Sequence, residues 1–193
     1  MSTTSIARLL VISIAIIIVI VIGACRPTPK FEEVYTVVSP AALAAGAAIP
    51  LPQSEILLTV TGKIGATNQD GQIVIDLATI EAVGVVEYEV TDPFEARKIV
   101  YRGVLMRDLL AVWQVESSAT QLHFVALNEY AIDIPIEEMH QYPILFGLQA
   151  DGDYMQPDYR GPAMLVYPMD AYHLDPAVTT AKWIWQIKSI DVQ

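Results

Sequence analysis

Tyr101-Arg102-Gly103-Val104-Leu105-Met106-Arg107-Asp108-Leu109-Leu110 changes backbone period partway along its length. On its N-terminal side, residues 98–101 are β-branched and aromatic and predict a short strand that Gly103 ends. On its C-terminal side, Leu105, Leu109, Leu110 and Trp113 recur at helical spacing opposite Arg107, Asp108 and Gln114, which predicts an amphipathic helix over 104–115. Upstream, Val86, Tyr88 and Val90 alternate with Glu87 and Glu89, the signature of a strand with one buried and one acidic face. Residues 56–61 are another strand, turned by Gly62 and Asn68-Gln69-Asp70-Gly71 into 72–75, after which Asp76 is placed to N-cap a short helix over 77–83. Downstream, strands over 122–128 and 130–134 break near Asn128-Glu129, and Pro135 opens a short helix with Glu137 and Glu138 near its positive end. Residues 144–149 and 154–155 flank Asp151-Gly152, a hairpin turn. Residues 163–167 and 183–192 are strand-like and are separated by a polar loop over 168–180. The fold class is α+β, strand-rich with a few short helices.

The chain of 193 residues allows one folded domain plus a short extra segment. Its hydrophobic content of 53% is concentrated at the N-terminus, and 17% of its residues are charged, too balanced a composition for a disordered acidic chain. A formal charge of −11 repels the phosphates that nucleic-acid binders neutralise, so no nucleic-acid partner is expected. The single cysteine excludes an internal disulfide framework, a cysteine-based zinc site and a CxxC redox pair.

That cysteine ends a distinct address. Arg8 precedes an apolar run over 9–22 interrupted only by Ser13, shorter than the roughly 20 residues a spanning helix needs. Ile22-Gly23-Ala24-Cys25 resembles the bacterial lipobox, whose cysteine thiol receives diacylglycerol before cleavage; a plain membrane anchor that happens to contain a cysteine is the alternative. The expected organisation is a lipoprotein signal peptide over 1–24, a lipidated N-terminus (Cys25) and flexible tether over 25–54, and a folded domain over 55–193. The domain is expected outside the cytoplasmic membrane, with the membrane as a partner through the lipid.

Few residues outside the address suggest chemistry on their own. His123, His140 and His173 lack the close spacing of a metal site, no GxSxG nucleophile elbow occurs, and Asp151-Gly152-Asp153 lacks the bidentate glutamate of a calcium loop. Glu87 and Glu89 share a strand face, as acid–base partners or as a solvated sheet surface. Arg160-Gly161-Pro162 offers a planar guanidinium at a stiff turn, to one of the chain's own carboxylates or to an anionic ligand. Lys182 beside Trp183 and Trp185 suggests an anion or cation–π site, against core packing of the tryptophans.

Taken in order, these blocks resemble the oxidoreductase molybdopterin-binding domain of the sulfite-oxidase type. The resemblance runs from about Ile56 to Val192 and rests on Leu58-Thr59-Val60-Thr61-Gly62, on 101–110, and on Ala126-Leu127-Asn128-Glu129-Tyr130 leading to Ile134-Pro135. It continues with Ala150-Asp151-Gly152-Asp153-Tyr154-Met155, then Arg160-Gly161-Pro162-Ala163-Met164-Leu165-Val166-Tyr167-Pro168 and Trp183-Ile184-Trp185-Gln186-Ile187. It implies the sulfite-oxidase-type fold, with molybdopterin as the cofactor to consider and Arg160, Lys182, Asn128 and Tyr130 as cofactor- or anion-binding residues. In catalytic members a cysteine thiolate after the strand that is here 86–90 ligates molybdenum. This chain has Thr91-Asp92-Pro93-Phe94 at that stretch, so a metal that needs a soft thiolate anchor has none there and no metal ligand is assigned. The expectation is a non-catalytic module that binds an anionic ligand or an envelope protein partner, perhaps sensory in role; the alternative is a molybdopterin oxidoreductase without thiolate ligation.

Overall fold

The computed structural model describes residues 28–193, so the expected signal peptide and Cys25 lie outside the described residues. Two sheets share one hydrophobic core. In chain order the strands are β1 Thr36–Ser39, β2 Ile56–Gly62, β3 Ile73–Asp76, β4 Val85–Thr91, β5 Lys98–Leu105, β6 Gln121–Ala126, β7 Ala131–Pro135, β8 Leu145–Ala150, β9 Asp153–Tyr154, β10 Met164–Val166 and β11 Ile187–Val192. The helices are α1 Leu77–Glu81, α2 Met106–Val112, α3 Ile136–Gln141, α4 Met169–Tyr172 and α5 Pro176–Thr179.

The first sheet runs β1-β4-β5-β8-β10 with β9 added to β8, all antiparallel, and the second runs β3-β2-β11-β6-β7. In the second sheet β11 lies parallel to β2 and the other pairs are antiparallel, which makes it mixed. Burial follows the expected alternation: β6 buries Leu122, Phe124 and Ala126, and β4 buries Tyr88 and Val90 while Glu89 stays exposed. β8 is buried along almost its whole length because it lies between β5 and β10 and under the rest of the core.

The sequence that opens this account folds one step later than its periodicity indicates. Gly103 continues β5 rather than ending it, and α2 begins at Met106 and closes at Val112. The reason is packing: a Cβ at Gly103 would lie 2.2 Å from the carbonyl oxygen of Phe146, so glycine here lets β5 approach β8 at a register shift between Arg102 and Gly103. Asp76 caps α1 as expected, its Oδ1 accepting the Thr79 N–H at 3.0 Å. The aromatic stretch over 183–192 is a strand only from Ile187, because residues 183–186 turn, with Gln186 at φ 55°. The polar loop over 168–180 contains α4 and α5.

The described part of the expected tether, residues 28–54, is laid onto the domain. β1 pairs with β4, the N–H groups of Ala42 and Leu43 both donate to the Ala82 carbonyl at 2.7 Å, and Asp76 Oδ2 accepts from Gln53 N at 2.8 Å and Ser54 N at 3.2 Å. Phe31, Val34 and Tyr35 pack against the core, and Arg107 sits 3.9 Å from the centre of the Phe31 ring. Composition alone hid this because the strand takes its order from β4, not from its own propensity.

Candidate functional site

The turn that follows β4 is built around Asp92. The residue is fully buried, and its Oδ1 accepts the N–H groups of Phe94 at 2.8 Å and Glu95 at 2.7 Å, which fixes the turn over 92–97. Its Oδ2 accepts the Tyr101 hydroxyl, from the neighbouring β5, at 2.7 Å and the Arg160 guanidinium at 2.5 Å. A second guanidinium nitrogen reaches Oδ1 at 3.3 Å. Burial pushes the Asp92 carboxyl up, but the hydrogen bonds from Arg160, Tyr101, Glu95 and Phe94 outweigh it and hold the group below the ordinary carboxylate range. Burial, then the bond to Asp92, pushes the Tyr101 phenol well up, so it stays a donor.

Arg160 is 7% exposed and adopts φ 60°, just ahead of the cis Gly161-Pro162 peptide. A Cβ at Gly161 would fall 2.0 Å from the Met155 carbonyl oxygen, so the turn passes against that backbone and leaves no room for another residue. The guanidinium also contacts Glu95 at 3.3 Å, Glu95 binds Arg97 at 2.7 Å, and Arg97 binds Asp151 at 2.7 Å. Alternating charges thus run from buried Asp92 to the exposed hairpin turn. The Arg160 guanidinium carbon lies 4.6 Å from the ring centre of Trp185, 5.3 Å from that of Tyr159 and 5.4 Å from that of Phe94.

Of the expected site residues, Arg160 has an internal carboxylate as its partner. Lys182, in the turn Thr180–Lys182, pairs with Glu138 of α3 at 2.6 Å, and the Tyr167 hydroxyl donates to the other Glu138 oxygen at 3.1 Å. The anionic ligand expected at Arg160 and Lys182 therefore finds both cations held by carboxylates of the chain. Asn128 and Tyr130, from the β6–β7 turn, meet Phe94, Trp183, Trp185 and Gln186 around a cavity of about 430 Å³. Trp183 is core, edge-on to Tyr101 at 5.9 Å, while Trp185 meets Phe94 edge-on at 4.7 Å. Sequence reasoning missed Phe94, Tyr101 and Glu138: an aromatic at a turn, a tyrosine on a strand and a helical glutamate show their partners only when the two sheets come together.

Other candidates resolve as structure. Glu87 pairs with Arg102 at 2.7 Å and Glu89 with Lys98 at 2.5 Å, both across β4 and β5. His123 bonds Asp133 at 2.6 Å across β6 and β7, and Asp151 is taken by Arg97 and the Val100 N–H. Among the described residues no three His, Cys, Asp or Glu side chains gather as a metal site.

The group implied by the resemblance, a thiolate-ligated molybdenum on a pterin, does not fit the residues present. The described residues include no cysteine, and the carboxylate that stands in the thiolate's stretch has both oxygens saturated by five donors.

Comparison with known proteins agrees with the fold. The structure is similar to the sulfane dehydrogenase SoxCD from Paracoccus pantotrophus, with a TM-score of 0.53 and 14% sequence identity over 75% of this chain and 40% of that one. This chain therefore spans less than half the length of that neighbour. No curated protein matches it in sequence. The family model described as the oxidoreductase molybdopterin binding domain matches residues 80–193, more than half of the chain, and the chain belongs to that family.

Proposed function

We propose that the chain is a lipid-anchored, extracytoplasmic member of this family whose domain is non-catalytic and serves as a ligand-binding or protein-interaction module. One observation carries the reading: Asp92, in the stretch where catalytic relatives place the metal-binding thiolate, is buried and bonded to Arg160, Tyr101 and two backbone N–H groups. A buried carboxylate neutralising a buried guanidinium does the electrostatic work of an anionic ligand from within the chain. The anchor rests on Ile22-Gly23-Ala24-Cys25 and the apolar run before it. Among the described residues no helix is long and apolar enough to cross a membrane.

Elemental and pterin analysis of protein purified from its native host tests the reading. The expected result is folded protein without stoichiometric molybdenum or pterin. Molybdenum near one atom per chain would establish the alternative, an oxidoreductase that holds its metal without a protein thiolate.

A further inference from the structure

The cavity between the β4–β5 and β6–β7 turns has a definite chemical character, and the inference drawn from it rests on the non-catalytic reading above. Phe94, Tyr130, Trp183 and Trp185 supply its aromatic walls, Asn128 and Gln186 its polar edge, and its volume of about 430 Å³ suits a small molecule. Phe94 and Tyr130 stand 45% and 48% exposed at the rim, while Trp183 is only 3% exposed.

No charged side chain lines the space. The nearby cations are held elsewhere: Arg160 by Asp92, Lys182 by Glu138 and Lys188 by Glu129. An anion gains no free partner there. An organic cation, the usual guest of aromatic walls, would stand beside the Arg160 guanidinium that already lies against Trp185 and Phe94. The remaining polar groups are donors. The indole N–H groups of Trp183 and Trp185 are buried without a hydrogen-bond partner, each at a cost of about 1–3 kcal/mol while unpaired. The Asn128 side-chain oxygen accepts the Tyr130 N–H at 3.1 Å, which leaves its amide N–H groups to donate.

We propose that this cavity binds an uncharged planar ring that carries carbonyl acceptors, of which a quinone is the simplest form. Flat aromatic walls favour stacking, the absence of a free charge selects a neutral guest, and the unpaired donors select one that accepts.

The chain has three tryptophans, so the test reads three indole signals from the full-length protein labelled with ¹⁵N and held in detergent. Trp113 serves as internal control, since its indole N–H is also buried and unpartnered but the residue does not line the cavity. Titration with 2-methyl-1,4-naphthoquinone is expected to shift the Trp183 or Trp185 signal and leave Trp113 in place. Tyr130→Ala, a change at an exposed position, is expected to weaken that binding by about fivefold to tenfold through the lost ring contact. The proposal is overturned if the naphthoquinone leaves both signals unmoved or moves Trp113 equally. It is also overturned if inorganic phosphate or tetramethylammonium moves them instead, or if Tyr130→Ala binds as the parent does. Molybdenum content measured on the same preparation separates the two readings: metal-free protein that ignores the quinone overturns this proposal alone, whereas molybdenum-loaded protein overturns the non-catalytic reading and this proposal with it.

Discussion

Asp92 and Arg160 show how one residue changes what a family fold can do. Removing one member of a buried pair leaves the other charge unpaired, so Arg160→Ala is expected to cost about 3–5 kcal/mol in urea unfolding. Asp92→Leu with Arg160→Met, which removes both charges, should recover most of that loss, and a double mutant as unstable as the singles would show that the pair is not the cause. The Asp92 carboxyl is held below its unfolded value, so its contribution is complete above the unfolded pKa of about 4 and is lost as pH falls through the folded value. Asp76 behaves alike: hydrogen bonding to Thr79 foremost, then to Gln53 and Ser54, outweighs burial and lowers it to about 2. Stability should therefore fall between about pH 4 and pH 2, and by less in Asp76→Asn, whereas an identical acid limb in that variant would remove Asp76 from the account. The sequence marked Arg160 as a residue with a specific partner, because a guanidinium at a stiff turn in an acidic chain needs one. Which carboxylate it meets was not legible, since Asp92 and Arg160 lie on separate segments joined only by the tertiary fold.

Elements were legible where local pattern and tertiary demand agree. Asp76 at the start of α1, the alternating burial of β4 and the hairpin around Asp151-Gly152 all follow from side-chain period and turn chemistry. They were misread where a neighbour decides: Gly103 looks like a strand end, yet it is a close-approach residue inside β5. Gly103→Ala would press a methyl group against the Phe146 carbonyl, and a loss of about 1–3 kcal/mol or more is expected; unchanged stability would place that contact elsewhere. Residues 28–54 are the larger case, because β1 is exposed along its length and is ordered only by pairing with β4. A chain beginning at Glu55 should melt below one beginning at Thr28, by on the order of 5 °C if a kcal/mol or two is lost with β1 and the bonds to Asp76. Equal midpoints would return the segment to the role of a loose tether.

Across the whole molecule, the α+β class and the family were legible because ordered short blocks survive over the folded part, from Leu58-Thr59-Val60-Thr61-Gly62 to Trp183-Ile184-Trp185. The assembly of the cavity was not, since its walls come from three distant segments, the turn at Phe94, the turn at Asn128 and Tyr130, and the stretch over 183–186. The location of the protein is tested separately, because Cys25→Ala should leave the domain folded and release it from membranes, and retention of normal lipid labelling would refute the lipobox. The central claim is that Asp92 makes the fold complete without the family's cofactor. A group that binds only the folded state raises the unfolding midpoint, so the most direct measurement compares the dialysed protein made in a host able to synthesise molybdopterin with that made in one that is not. Equal midpoints and equal near-ultraviolet circular dichroism are predicted; a higher midpoint only in the cofactor-producing host, accompanied by molybdenum, would contradict the account.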